Sequence, residues 1–287
     1  MMALGEFHRQ GQGGSVNFDE ATAWYREAAQ RGHVGAQKTL GRMHTAGQGV
    51  PRDAVEAARW FGKAAAQGDA EAQMVVGAMH AEGRGQAQDP AAALAWFLRA
   101  AEQGEPGALY NLGIAYLSGL GLPVDAERAS ELFRAAVEAG SAEAAFRLGV
   151  LSAGGDAVES ARWFGRAADL GNADAMFNLG VCYRHGTGVE RDGARALDLY
   201  RQAAEAGSVP AQLCLGDAYD EGAGVAQDRA QAIGWYRRAA AAGDANAQFN
   251  LWRLAADCEV PDEPLKWLNA AARQGHPAAV EALAANS

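Results

Sequence analysis

The stretch that decides the fold is Ala175-Met-Phe-Asn-Leu-Gly-Val-Cys-Tyr-Arg-His185, Gly186-Thr-Gly-Val189, Glu190-Arg-Asp192, Gly193-Ala-Arg-Ala-Leu-Asp-Leu-Tyr200, Arg201-Gln-Ala-Ala-Glu-Ala-Gly207. Its pattern recurs on both sides. A glycine closes each copy, at Gly32, Gly68, Gly104, Gly140, Gly171, Gly207, Gly243 and Gly275, with successive spacings of 36, 36, 36, 31, 36, 36 and 32. The chain is therefore a repeat array, in which each unit packs on its neighbours and length sets no domain count.

Counting from each closing glycine, position 4 is always alanine, from Ala36 through Ala279. Position 8 is Leu40, Val76, Leu112, Leu148, Leu179, Leu215, Leu251 or Leu283. Position 12 is usually aromatic, so one apolar stripe recurs at helical spacing. This predicts a first helix, helix A. Asp69, Ser141, Asn172, Ser208 and Asp244 stand where its N-cap belongs.

Helix A ends at a glycine pair, Gly47/Gly49, Gly83/Gly85, Gly119/Gly121, Gly186/Gly188 or Gly222/Gly224, read as a left-handed cap and a tight loop. None of these pairs follows a strand or continues as a Walker or dinucleotide motif, so they are structural and not phosphate-binding. Asp53, Asp89, Asp125, Asp156, Asp192 and Asp228 then cap a second helix, helix B. The large residue seven positions on is Trp24, Trp60, Trp96, Trp163, Trp235 or Trp267, with Leu132 and Leu199 in the other two repeats. A glycine inside helix A, at 41, 77, 113, 149, 180 and 216, costs roughly 1 kcal/mol against alanine. The expectation is that it admits this tryptophan; Trp252 takes the glycine's place in the last full repeat.

The order Leu-Gly-x-x-Tyr, Gly-x-Gly-Val, Asp, Ala-x-x-Trp-Tyr/Phe, Ala-Ala-x-x-Gly resembles the Sel-one-like repeat, a relative of the tetratricopeptide repeat. The resemblance covers nearly the whole chain. It departs in two shortened loops, Leu151 to Asp156 and Ala255 to Pro264, and in half repeats at 1–10 and 276–287. It implies an all-α fold, an α/α solenoid wound as a right-handed superhelix of about 17 helices, in a single array of about eight repeats over 1–287. It also implies an adaptor or scaffold for proteins, in bacterial regulation, secretion or envelope processes, and not an enzyme. Members linked to cell-wall precursors carry paired cysteines that this chain lacks.

Composition narrows the classes. The charge of −10 opposes binding to nucleic acid. No apolar run reaches the roughly 18 residues of a membrane span, so no direct insertion is expected. No leader is recognisable, which points to the cytoplasm, or to the periplasm if an upstream segment exists; the chain opens inside a repeat. Cys182, Cys214 and Cys258 have neither disulfide nor zinc spacing and read as buried thiols. With only Lys38, Lys63 and Lys266 as lysines, the composition suggests a GC-rich bacterium.

No catalytic, cofactor or metal site is expected. His8, His44 and His80 share one repeat position, but helices packed 8–10 Å apart cannot bring three such rings within about 2 Å of one zinc. Later repeats place Tyr116, Tyr183 and Tyr219 there, so the slot takes an aromatic ring. The candidate binding residues are at positions 6, 10 and 13 of helix A, which turn away from the buried stripe. They are mixed or charged in the outer repeats (Lys38, Arg42, Thr45; Asp217, Asp220) and apolar in the central ones: Tyr110, Ile114, Leu117; Phe146, Val150; Phe177, Val181. They form a concave groove for a peptide or helix of another protein. Three alternatives stand: the aromatic residues pack between neighbouring repeats, the patch closes on itself as a homodimer, or the chain is a small-ligand binder or cell-wall-related enzyme, which would need a closed pocket with perturbed acids or bases that the sequence does not show. Ile114, Val150 and Val181 favour the groove.

Overall fold

The computed structural model of the protein describes residues 1–10, 17–255 and 264–285. Cys258, most of the Ala255-to-Pro264 loop and residues 286–287 lie outside these. Among the described residues there are seventeen helices and no strand. They are α1 (Met2–Gln10), α2 (Phe18–Gln30), α3 (Val34–Ala46), α4 (Ala54–Ala66), α5 (Ala70–Glu82), α6 (Pro90–Ala101), α7 (Pro106–Ser118), α8 (Ala126–Glu138), α9 (Ala142–Ser152), α10 (Ala157–Asp169), α11 (Ala173–His185), α12 (Gly193–Glu205), α13 (Val209–Glu221), α14 (Arg229–Ala241), α15 (Ala245–Ala255), α16 (Pro264–Arg273) and α17 (Pro277–Ala285). The chain divides into two compact units, Met1–Ala144 and Ala145–Ser287.

In each unit, helices A (odd numbers) and B (even numbers) form consecutive hairpins, and each B helix packs on the next A helix. Adjacent A helices also touch, α5 with α7 and α13 with α15. The stripe read from sequence is the core: Ala36, Ala72, Ala175, Ala211 and Ala247 are fully buried, as are Leu40, Leu215 and Leu251.

Local chemistry sets the boundaries. Asp53 accepts the N–H groups of Val55 and Glu56, Asp89 that of Ala92, and Asp192 that of Arg195. His33 and His276 cap their helices through Nδ1. Ser208 makes no side-chain cap, and its hydroxyl is buried without a partner. The loop glycines are fixed twice over. Gly85 and Gly188 have φ of +72° and +73°, and an added Cβ would strike the backbone carbonyl of Ala54 and Ala157 respectively, at the helix-B start of the preceding hairpin. They are also inter-repeat contacts, which the reading of these loops as a cap and tight turn did not include.

The space over the helix-A glycine is not taken by tryptophan. A Cβ added to Gly41 would lie 2.6 Å from Phe61, one on Gly77 2.6 Å from Phe97, and one on Gly149 2.6 Å from Phe164. Gly113 meets Phe133, Gly180 meets Tyr200 and Gly216 meets Tyr236. The filler is the residue after the tryptophan position, and these rings are at most 5% exposed. The reason is angular, since consecutive helical residues point about 100° apart. The ring faces the glycine of its own helix A, while the neighbour reaches across to the preceding hairpin: Trp60 shares a cluster with Tyr25 of α2 as well as Leu40 and Met43 of α3, Trp96 packs against the cluster of Phe61, and Trp235 against that of Tyr200. Burying a ring is worth roughly 1.5–3 kcal/mol, which exceeds the roughly 1 kcal/mol cost of a helical glycine. Trp163 is accordingly only half-buried, its Nε1 donating to Glu159 at 3.1 Å, whereas Phe164 is 5% exposed. In the last hairpin the sizes exchange: Trp252 replaces the glycine, and the facing residue shrinks to the fully buried Leu268.

Candidate protein-interaction site

Positions 6, 10 and 13 of helix A carry the candidate residues, which divide between the two units. In the first, α7 supplies Tyr110, Ile114 and Leu117, all half-buried. In the second, α9 supplies Phe146 and Val150, and α11 supplies Phe177 and Val181. Val150 is 43% exposed, while the other three are half-buried.

The aromatic residues at position 6 lean on the helix-B ring of their own hairpin, and Phe177 also packs against the cluster that holds Ala211 and Leu215 of the next repeat. Tyr110 meets Phe133 at 5.6 Å between centroids, Phe146 meets Phe164 at 5.8 Å and Phe177 meets Tyr200 at 5.5 Å, all tilted. Such pairs add about 0.5–1.5 kcal/mol to burial, so each ring serves packing whatever its outer edge does. Other exposed apolar side chains lie elsewhere: Leu120 and Leu151 at helix-A ends, Val55, Val124 and Val158 at helix-B starts, and Leu98.

Where position 10 is charged, the charge is engaged. In the first unit the Tyr25 hydroxyl donates to Glu6 at 2.8 Å, and burial followed by Glu6 pushes that phenol up to about 12. Lys38 bridges Asp69 at 3.0 Å and Glu71 at 2.9 Å, and Arg42 joins Glu71. Burial works against the Glu71 carboxylate, but hydrogen bonds from Lys38 and Arg42 hold it below its ordinary range. In the second unit Tyr236 donates to Asp217 Oδ1 at 2.8 Å, and Arg253 pairs with Asp220. Burial, then Asp217, raises the Tyr236 phenol strongly. Lys38, Arg42 and Arg253 tie neighbouring hairpins together, and the two tyrosine–acid pairs join the helices of one hairpin, roles which the sequence reading had not assigned to them.

Two polar patterns escaped that reading. Gln37, Gln73, Gln212 and Gln248 are buried at position 5 and donate to the carbonyls of Ala29, Ala65, Ala204 and Ala240. In three cases their own oxygen takes an amide from the next repeat, Gln67, Gln103 or Gln274. Ala242 stands in the fourth place, and Gln212 Oε1 is buried without a partner. The second pattern pairs Tyr in helix B with an acid at position 10. Both were visible as residue types recurring at fixed repeat positions.

The histidine slot is a packing position in which His44 and His80 are half-buried with Nδ1 unpartnered. The main-chain carbonyls of His44, His80, Tyr116, Tyr183 and Tyr219 each accept the N–H of the following helix-B cap. The His8 carbonyl likewise accepts the N–H of the Asn17 cap, and the His8 Nδ1 pairs with Glu20 at 2.8 Å. Cys182 is buried and free, its thiol pushed up by burial; Cys214 is half-buried. No group of three or more potential metal-ligating side chains occurs among the described residues, and no described helix is long and apolar enough to cross a membrane.

Helix hairpins of fixed period with variable A-helix positions define a helical-repeat scaffold. The chain belongs to the Sel1 repeat family, whose model matches residues 1–33, 35–69, 70–105, 106–141, 142–172, 173–208, 209–244 and 265–276. Among solved structures it is similar to a protective antigen present in uropathogenic Escherichia coli strains, with 32% identity and a TM-score of 0.71 over 97% of this chain; it spans 62% of that protein's length. It is equally similar to a Sel1 repeat protein from Oxalobacter formigenes, at 30% identity and a TM-score of 0.71, covering 99% of this chain and 86% of that one. Yeast Tom70 shares the fold at 12% identity and a TM-score of 0.54, over 93% of this chain and 58% of that one. No curated protein matches the sequence. Repeats of this kind generally mediate protein–protein interaction and are generally not enzymes, which makes the chain an interaction scaffold in that general sense.

Proposed function

We propose that the scaffold captures a peptide or helix of a bacterial partner protein through Tyr110, Ile114 and Leu117 of the first unit and Phe146, Val150, Phe177 and Val181 of the second. One observation carries this reading. At position 10, Glu6, Arg42, Asp217 and Arg253 are each held by a neighbouring side chain, whereas Ile114, Val150 and Val181 present apolar surface, with Val150 43% exposed. Exposed apolar side chains on a rigid scaffold fit the centre of an interface, where binding energy concentrates. The eight repeats serve this as one array, without catalysis, cofactor or nucleic acid, in the cytoplasm and in regulation, secretion or envelope assembly.

The test starts from the partner recovered from the native organism and then purified. Ile114→Asp/Val150→Asp lowers its affinity at least tenfold, while Val124→Asp/Val158→Asp, on exposed helix-B starts, changes it less than twofold. The reverse pattern overturns the assignment. Light scattering decides the homodimer: a mass of 30.0 kDa leaves these positions free for a partner, and double that mass, lost in Val150→Asp, assigns them to self-association.

A further inference from the structure

Within the second unit, a cavity of about 480 Å³ opens between α11, α12 and α13. This is within the range of small-ligand clefts, roughly 300–1,000 Å³. Its walls include Arg184, Leu197, Tyr200, Cys214, Asp217 and Glu221.

Tyr200 is 3% exposed, and its Oη is buried without a hydrogen-bond partner. Its counterparts Tyr25 and Tyr236 are satisfied by the acid at position 10 of their own hairpin, but here that position is Val181. Burial raises the Tyr200 phenol, Cys214 adds to the effect, and Arg184, which approaches the hydroxyl without a well-formed hydrogen bond, opposes it. A buried hydroxyl left unpaired is unfavourable, and a ligand donor would relieve that.

The acids complete the description. Asp217 Oδ1 is occupied by Tyr236 at 2.8 Å and Asn250 at 3.3 Å, while Oδ2 accepts no hydrogen bond among the described groups. Burial holds the Asp217 carboxyl above its ordinary range, against the bond from Tyr236 and with Glu221 and Asp220 adding to the rise. Other acids on these helices receive a cation from the chain itself: Glu71 from Lys38 and Arg42, Asp220 from Arg253, Glu6 from Arg9. Asp217 and Glu221 form no ion pair among the described residues, although the Asp220-bound Arg253 lies close enough to act on Asp217. Arg184 is exposed and acts on Tyr200 and Cys214, while half-buried Asp217 and exposed Glu221 supply the negative charge of the other wall.

We propose that this cavity seats the guanidinium of an arginine side chain presented by a peptide ligand, its fork donating to Asp217 Oδ2, Tyr200 Oη and Glu221 while its stem lies along Leu197. A guanidinium suits this set better than an ammonium because its planar donors reach several acceptors at once. The site does not depend on the apolar positions of helix A.

The experiment is a ¹H–¹⁵N titration of the full chain with N-acetyl-L-arginine N-methylamide, a blocked residue that mimics arginine within a peptide. The result expected is saturable shifts at Ala194, Leu197 and Gly224, with none from the leucine and glutamate analogues. Asp217→Asn and Glu221→Gln weaken binding at least fivefold and Tyr200→Phe about threefold, while Glu102→Gln in the first unit has no effect. Glu221 is exposed and Asn can still accept from Tyr236, so these variants fold; an unchanged pattern of amide dispersion verifies it. Shifts that do not saturate, equal response to the leucine analogue, or unchanged affinity in both acid variants would overturn the proposal. Val150→Asp leaves this titration unchanged, so failure here is separable from failure of the apolar binding positions.

Discussion

Two hairpins of the second unit differ at one decisive position. In α13/α14, Gly216 faces Tyr236, whose hydroxyl ends on Asp217; in α11/α12, Gly180 faces Tyr200 in the same way, but Val181 stands where the acceptor belongs. The packing is shared and the polar pairing is not. The first hairpin spends position 10 on its own stability. The second leaves a phenol unsatisfied and offers an apolar side chain instead. A stability deficit kept at one repeat and repaired at the next marks the unrepaired one as the place where another demand acts.

The largest effects test the shared part. Tyr200→Ala and Tyr236→Ala each cost about 3–5 kcal/mol in urea unfolding, because both rings are buried against a helix backbone. The same assay on Phe164→Ala and Trp163→Ala costs more at Phe164, which is 5% exposed beside a half-buried tryptophan. Equal losses at 163 and 164 would return the anchoring role to the tryptophan.

Removing only the hydroxyl separates the hairpins. Tyr236→Phe loses a bond to a charged acceptor and costs about 1.5–3 kcal/mol, whereas Tyr200→Phe sheds an unpaired group and is neutral or stabilising. Similar losses at both sites would mean that Tyr200 is satisfied in solution. Gly216→Ala and Gly180→Ala should each destabilise by roughly 1–3 kcal/mol, since the added methyl collides with the facing ring by more than the helix-propensity gain returns. A melting temperature that rises in either variant would show that the hairpin relaxes freely.

The smallest effect concerns the glutamine ladder. Ala242→Gln supplies the amide that Gln67, Gln103 and Gln274 provide elsewhere, and satisfying Gln212 Oε1 should gain about 1 kcal/mol. Ala206→Gln, in the preceding repeat, has Met176 in place of the buried glutamine and gains nothing. Equal responses at 206 and 242 would dismiss the ladder as surface decoration.

The period, caps, loop glycines and buried stripe were legible in sequence because each repeats at one offset and has a local physical cause. The ring beside the tryptophan was harder. Both residues are large and adjacent, and size alone favoured the tryptophan. Two clues could have decided it: all eight closing glycines are preceded at seven residues by Tyr, Phe or Leu, and the one Leu, Leu268, coincides with Trp252 in place of glycine. The charged position-10 residues were visible as charges, but their partners lie 19 residues away on helix B, as with Asp217 and Tyr236, or about one repeat away, as with Arg42 and Glu71, and spacing alone does not show which groups meet. The cavity by Asp217 was illegible for the same reason, since three helices build it.

The central claim is that α11 gives up a polar pair in order to bind. Val181→Asp tests it in one protein, since it places beside Tyr200 the acceptor that Asp217 gives Tyr236 and removes an apolar side chain from the proposed binding positions. Measured side by side, partner affinity should fall at least tenfold while the melting temperature holds or rises. Unchanged affinity, or a loss of affinity matched by a loss of fold, would contradict the account.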